Sequence, residues 1–181
     1  ALLFLVNIIF YVEVTWLLPF FTEMGIGIQD AAILASLVAV AGVPGIIIIP
    51  VASDRLKRRK PFLWVSGIVS GVAALALTFS PPMLLYVLAI ILGITVIAIY
   101  VMCLILPVDL FPRDLVGTAS GLVISLGYVG GLIGPFTAGY LADFTGSFSF
   151  IPVFLTSVSG LTALVSLIFL RGLDKARAPT S

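Results

Sequence analysis

The chain has 181 residues, of which nine are Lys or Arg and eight are Asp or Glu, so that only 17 side chains are charged. Ordinary soluble domains carry about a quarter charged residues, whereas 61% of this chain is hydrophobic and its mean hydropathy is +1.31. This composition excludes a water-soluble globule. The absence of histidine and the single cysteine also exclude an intrachain disulfide, Ser-His or Cys-His catalysis and most metal sites.

Six windows of the sequence are long and apolar enough to cross a membrane as helices. A bilayer core of about 30 Å needs about 20 apolar helical residues. In lipid every backbone group must be paired within its own segment, so each window predicts a helix and no strand is needed. The sequence therefore predicts an all-α, multi-pass membrane protein with a single membrane domain over residues 1–181. The spans lie at about residues 2–22, 31–51, 62–80, 83–106, 117–141 and 149–170.

The basic residues all fall on one side of these spans when the connections are numbered alternately. They occupy the second connection, the fourth connection and the C-terminal tail, whereas the opposite connections carry only Glu23, Asp30 and Asp143. Lys and Arg are retained on the cytoplasmic side during insertion. We therefore expect both termini to be cytoplasmic, with the cell (inner) membrane as the location.

The sequence resembles itself when it is shifted by 89 residues, with roughly twice the identities that its biased composition is expected to give. Because each copy would hold three helices, an odd number, the copies at about 1–82 and 83–171 would cross the membrane in opposite directions. Such inverted repeats are a feature of secondary transporters. Chance matching among common residues is the alternative. The matched pairs include Tyr11 with Tyr100, Gly42 with Gly131, Gly45 with Gly134, Asp54 with Asp143, and Ser70 with Ser159.

Three segments carry a resemblance to a known family. The run from Pro50 to Lys60 resembles the Gly-x-x-x-Asp-Arg-x-Gly-Arg-Arg signature of the major facilitator superfamily, with Pro50 and Lys57 in place of its two glycines. The segments 109–121 and 139–143 resemble the family's link between its tenth and eleventh helices and the end of its eleventh helix. The signature residues that match are Asp54, Arg55, Arg58 and Arg59.

The resemblance implies the C-terminal six-helix half of a twelve-helix secondary active transporter, which moves a small solute by alternating access. Proton coupling is one form that this transport could take. The implied partners are an N-terminal six-helix half outside this chain, the solute and the lipid bilayer, with no cofactor and no nucleic acid. Ala1 opens directly into a span without a preceding Met, which favours a chain cut from a longer one over a cleaved signal peptide.

By the same resemblance, the second and fourth connections form a cytoplasmic gate motif. A carboxylate at Asp54 can cap another helix and pair with guanidinium groups until transport breaks the contact. The alternative is that the basic run only anchors the topology and touches anionic headgroups. The gate candidates are Asp54, Arg55, Arg58, Arg59, Arg113 and Gly117.

The resemblance also assigns the helices: the first and fourth line a central cavity, the second and fifth pack against the other half, and the third and sixth face lipid. The cavity candidates are Asn7, Tyr11, Glu13, Trp16, Thr95 and Tyr100. Small residues allow helices to approach closely, within this half or between the halves. The candidates for packing between the halves are Gly42, Gly45, Gly127, Gly130, Gly131 and Gly134.

Glu13 is the only charged residue well inside a span. A charge at mid-bilayer costs about 2.5–3.5 kcal/mol even on the mild insertion scale, so Glu13 should face water or a partner and not lipid. It could carry a proton, attract a cationic substrate group, or serve as a structural hydrogen-bonding group.

Two other function classes compete with a transporter half. A free-standing six-helix channel, or a half-size carrier that acts as a homodimer, would use the glycine faces to meet a copy of itself. An enzyme is disfavoured, because there is no histidine, no paired carboxylate inside the spans and no phosphate-binding Gly-Lys-Ser/Thr sequence.

Overall fold

A computed structural model describes residues 1–56 and 59–169. Within these ranges the chain is helical and has no strand, as the composition predicts. All six helices are long and apolar enough to cross a membrane. The helices are α1 (Leu2–Glu23), α2 (Ile28–Arg55), α3 (Lys60–Leu77), α4 (Pro82–Leu110), α5 (Arg113–Thr145) and α6 (Ile151–Phe169).

Several helices extend beyond the predicted spans. The helix α4 runs to Leu110, past the predicted end of its span at residue 106, and contains Pro107. Hydropathy marks only the part of a helix that lies in lipid, whereas the backbone hydrogen bonds continue past it. The connections are short, and Gly25 and Gly146 supply positive φ angles of 85° and 68° that turn the chain after α1 and α5.

Close contacts establish the helix directions. Leu3 lies against Gly127 and Trp16 lies against Gly139, so α1 and α5 run parallel. In contrast, α3 and α6 are antiparallel, since Gly67 meets Ala163 whereas Gly71 meets Thr156. Successive helices reverse direction, so Asp54 at the end of α2 and Asp143 near the end of α5 lie at opposite ends of the bundle.

The helix pairs match the arrangement that an inverted repeat requires. The main contacts join α1 with α5, α2 with α4, and α3 with α6. A shift of 89 residues moves α1, α2 and α3 onto α4, α5 and α6. It therefore converts the pair of α1 and α5 into the pair of α4 and α2, and it relates α3 to its own partner α6. The hydroxyl oxygens of Ser70 and Ser159, which are 89 residues apart, lie 3.4 Å from each other where α3 crosses α6. The repeat and its boundaries stay predictions.

Burial differs sharply among the helices. In α1 and α4, 56% of the apolar span is buried inside the bundle, against 28% in α2 and 11% in α5. The outer surface of α5 presents large apolar side chains such as Leu132 and Phe136. Thus α1 and α4 form the centre of this bundle, and α2 and α5 keep wide faces for lipid or for further helices.

Candidate functional site

Three tyrosines from three helices meet at the middle of the spans. The hydroxyls of Tyr100 on α4 and Tyr128 on α5 lie 3.3 Å apart. The ring centroid of Tyr11 on α1 is 6.4 Å from that of Tyr128, and Phe10 packs between Tyr11 and Tyr100 with centroid distances of 5.4 and 6.0 Å. We call Phe10, Tyr11, Tyr100 and Tyr128 the aromatic cluster.

The aromatic cluster is open on one side. Tyr128 is 48% exposed, and Tyr11 and Tyr100 are partly exposed. Tyr11 can lie flat on α5 because Gly131 has no side chain: a Cβ there would lie 2.7 Å from the Tyr11 ring. Phenol hydroxyls both donate and accept hydrogen bonds, so this surface can bind a polar solute through its hydroxyls and an apolar ring through its faces.

Tyr128 was not among the sequence-based candidates. The signal available was weak: it is a lone aromatic residue in the glycine-rich middle of α5, one turn before Gly131. Its neighbours Tyr11 and Tyr100 were candidates, and the structure brings them together with it.

Three of the other cavity candidates lie inside the bundle. The exposed fraction is zero for Asn7, 2% for Glu13 and 7% for Thr95. The Asn7 amide donates to the Leu3 carbonyl at 2.8 Å, and the Thr95 hydroxyl donates to carbonyls of its own helix. In this conformation the neighbouring helices cover most of the surface of these three side chains, and their place on the wall of a solute cavity stays a prediction.

Glu13 avoids lipid, as the cost of a charge in hydrocarbon requires, yet it is equally closed to solvent. Its Oε1 atom and the Oδ1 atom of Asn7 are buried without a hydrogen-bond partner among the described residues. A buried polar atom without a protein partner calls for an explanation, such as local strain, a bound water or a functional role.

Trp16 connects α1 to α5. Its indole nitrogen donates to the Pro135 carbonyl at 3.1 Å, and its ring stacks on Phe148 with centroids 5.4 Å apart. Gly139 lies directly against the indole. Packing between helices accounts for these contacts.

The gate candidates divide into a paired set and an exposed set. The Arg59 guanidinium lies 2.6 Å from Asp54 and 3.1 Å from Asp109, and Arg59 is 7% exposed. This bridge joins the end of α2 to the end of α4. Asp109 was missed as a site residue because its partner lies 50 positions away in the sequence.

The remaining gate candidates do not join this bridge in the described residues. Arg55 and Arg113 are exposed, and Gly117 has open space where a side chain would stand. Arg58 lies outside the described residues. The contact observed at Asp54 is therefore an ion pair with its own connection and not a cap on another helix.

A second bridge, made of hydrogen bonds, joins two segments at the opposite end of the bundle. The Glu23 carboxylate at the end of α1 accepts hydrogen bonds from the Ser147 hydroxyl, the Phe148 amide and the Ser149 hydroxyl. The connection between α5 and α6 is thereby held to α1. The sequence predicts Glu23 only as an outer-side charge, because its partners lie 124 to 126 positions away.

The candidate interface glycines all contact helices of this chain. Gly42 and Gly45 lie against Ile97 and Ile94 of α4. The four in α5 lie against α1, with Gly130 nearly touching the Phe4 carbonyl. Close packing between helices of this chain, the alternative considered from the sequence, explains why these positions are glycine; contact with an N-terminal half stays a prediction. The α5 set is Gly127, Gly130, Gly131 and Gly134.

Comparison with known proteins gives one family and two relatives. The sequence model of the Major Facilitator Superfamily matches residues 3–181. A protein of Archaeoglobus fulgidus, named only as an uncharacterized protein, is 32% identical over 127 residues, which cover 69% of this chain and 58% of that protein. The "Probable galactarate/D-glucarate transporter GudP" of Escherichia coli K12 is 26% identical over 175 residues, which cover 92% of this chain and 39% of that protein. The chain thus spans less than two thirds of the length of either relative.

Proposed function

Because the chain belongs to the major facilitator superfamily, we propose that it forms the C-terminal half of a secondary active transporter that moves a small solute by alternating access. It is an integral multi-pass membrane protein. The proposed orientation puts both termini in the cytoplasm of the cell, with the bridge at Arg59 on the cytoplasmic side. An N-terminal six-helix half would cover the exposed faces of α2 and α5 and close the solute path.

The observation that carries the proposal is the open aromatic cluster at mid-span. Hydroxyl groups exposed to hydrocarbon at that depth would lose their hydrogen bonds to water, so a wall of three partly exposed tyrosines fits a water-filled path better than a lipid-facing surface. Sites near the bilayer midplane are where secondary transporters bind solute.

The proposed solute is a small polyhydroxylated acid. The Tyr100 and Tyr128 hydroxyls suit hydroxyl groups of the solute, and the rings of Tyr11 and Phe10 suit its carbon backbone. The galactarate/D-glucarate name of the Escherichia coli relative points to the same chemistry. Lys and Arg of the described residues occur only at helix ends, so the counter-charge for the acid would come from the other half.

Removal of the Tyr128 hydroxyl tests the cluster. In the transporter that contains both halves, Tyr128→Phe is expected to raise KM for a sugar acid about 5- to 30-fold, since one hydrogen bond with a charged or polar partner contributes about 1–2 kcal/mol. The measurement is uptake into cells or proteoliposomes. Tyr140→Phe, in the same helix but exposed and outside the cluster, should leave KM unchanged. If Tyr128→Phe had the same KM as Tyr140→Phe, the aromatic cluster would not be part of the solute site.

Glu13 is the proposed proton-coupling group, because it is the one carboxyl of the described helices that lies far from a helix end, and its Oε1 atom has no hydrogen-bond partner among the described residues. Glu13→Gln is expected to abolish the stimulation of uptake by a proton gradient while leaving solute exchange between the two sides intact. Glu23→Gln, which removes the other carboxylate of α1, should keep the proton dependence. Uptake by Glu13→Gln that still responds to the gradient would contradict this role.

A half-size carrier that works as a homodimer is the second candidate, and the wide apolar faces of α2 and α5 favour some partner over none. The two candidates differ in stoichiometry. The transporter half is supported if each functional unit contains one copy of this chain with a different six-helix partner. The homodimer is supported if two identical copies of this chain transport the solute without another protein.

A further inference from the structure

A groove of about 560 Å³ lies between α2, α3 and α4, apart from the aromatic cluster. Ligand-binding pockets commonly have volumes of about 300–1,000 Å³. Its wall includes Leu56 and Pro61 at the end of the bundle that bears the Arg59 bridge, Val65 and Val69 farther along α3, and Thr95 in the middle of α4. None of its lining residues comes from α1, α5 or α6.

The groove suits a hydrocarbon chain better than a polar solute, since its lining is apolar apart from Ser66 and Thr95. Val65 and Val69 are 42% and 38% exposed, so the groove opens sideways to the bilayer. The Thr95 hydroxyl is already bonded to the carbonyls of Ile91 and Leu92, at 2.7 and 3.1 Å, and has no free hydrogen to donate. From Pro61 to Val69 the α3 wall is about 12 Å long at 1.5 Å per residue. That length is close to the hydrocarbon depth of one leaflet, about 15 Å.

Two basic residues are next in the sequence to the lining residues at one end of the groove, which we call its mouth. Arg55 and Lys60 directly precede the lining residues Leu56 and Pro61. Neither has a carboxylate partner among the described residues, whereas Arg59 pairs with both Asp54 at 2.6 Å and Asp109 at 3.1 Å. These five groups therefore carry one net positive charge. The N-terminus of α3 begins at Lys60 and adds its positive dipole end at the same point.

We propose that this groove is a binding site for an anionic phospholipid, with one acyl chain between α2 and α3 and the phosphate headgroup at Arg55 and Lys60. The apolar wall, the leaflet-like depth and the unpaired basic mouth each match one part of that molecule. Neutral phospholipids would fit the wall but would not gain the charge interaction, so the site should discriminate by headgroup.

Native mass spectrometry of the full chain in mild detergent, with equal amounts of phosphatidylglycerol and phosphatidylcholine, tests the site. The parent protein should retain phosphatidylglycerol in preference. Arg55→Gln and Lys60→Gln should each lower the ratio of bound phosphatidylglycerol to phosphatidylcholine about fivefold, the factor expected for one basic side chain at a membrane surface. Val65→Trp, which fills the groove, should remove about one bound lipid of either kind.

Two matched variants control for general effects. Arg113→Gln removes an exposed charge at the same end of the bundle, and Val153→Trp adds the same bulk to an exposed position of α6; both should bind lipid like the parent. Circular dichroism checks that every variant keeps its helices. A parent without headgroup preference, an Arg113→Gln effect equal to that of Arg55→Gln, or a Val65→Trp variant with unchanged lipid number would overturn the proposal. A groove covered by another polypeptide would retain no lipid and would overturn it too.

Discussion

Arg59→Met is expected to destabilise the folded protein by about 3 kcal/mol and to loosen the ends of α2 and α4 from each other. Removal of one member of a buried ion pair typically costs about 3–5 kcal/mol, because the remaining charge is left in a poorly solvated site. Arg59 is 7% exposed and the Asp109 side chain 13%, so this bridge is close to that case. Thermal unfolding in detergent, followed by circular dichroism, measures the loss.

The two carboxylates should contribute unequally. The Asp54 side chain is 57% exposed, and exposed ion pairs contribute only about 0–1 kcal/mol, so Asp54→Asn should cost less than Asp109→Asn. Arg59→Met combined with Asp109→Asn should cost less than the sum of the single changes, because both remove the same contact. Arg113→Met, at an exposed position, should change stability by at most about 0.5 kcal/mol. An Arg59→Met variant as stable as Arg113→Met would show that the bridge does not stabilise the fold.

The bridge connects two helices of this chain. The gate motif predicts contacts between helix ends that transport would break, and Arg59 joins the end of α2 to the end of α4. The Glu23 contacts do the same at the other end, where they join α1 to the connection before α6. Both bridges stiffen this six-helix bundle, and a stiff bundle suits the rocking motion of the proposed alternating access.

The architecture followed from the sequence because each helix is encoded locally. Six apolar windows of sufficient length, separated by glycine, proline and charged residues, leave few alternatives in lipid. Ser70 and Ser159, which the 89-residue shift matches in the sequence, are also neighbours in space, whereas the repeat itself stays a prediction.

The candidate site was predicted only in part because its members depend on packing between distant segments. A helical wheel places Glu13 on a face of α1 but does not say which helix covers that face. Tyr128 became a neighbour of Tyr11 through the close approach at Gly131, which periodicity does not reveal. Asp109 likewise pairs with Arg59 only because the end of α4 lies beside the connection that follows α2.

Gly130→Ala is expected to be among the most damaging changes in the chain, with a loss of about 3 kcal/mol or more. A Cβ at Gly130 would stand 2.1 Å from the Phe4 carbonyl oxygen, and that atom belongs to the backbone of α1, which cannot move aside alone. The helices would have to separate along much of their length, which would cost contacts from Leu3 to Tyr11. Overpacking of a core usually costs about 1–3 kcal/mol, and a clash with backbone lies at or above the upper end.

Gly121→Ala is the matched control, because it lies in the same helix with nothing within 4 Å of the added carbon. Alanine favours a helix over glycine by up to about 1 kcal/mol, so this variant should be as stable as the parent or slightly more stable. Gly93→Ala repeats the test in α4, where the Cβ would stand 2.0 Å from the Val38 carbonyl oxygen of α2. In thermal unfolding in detergent, the unfolding temperature should therefore fall for Gly130→Ala and Gly93→Ala but not for Gly121→Ala. Similar unfolding temperatures for all three would mean that α1 and α5 do not approach each other as closely as these contacts require.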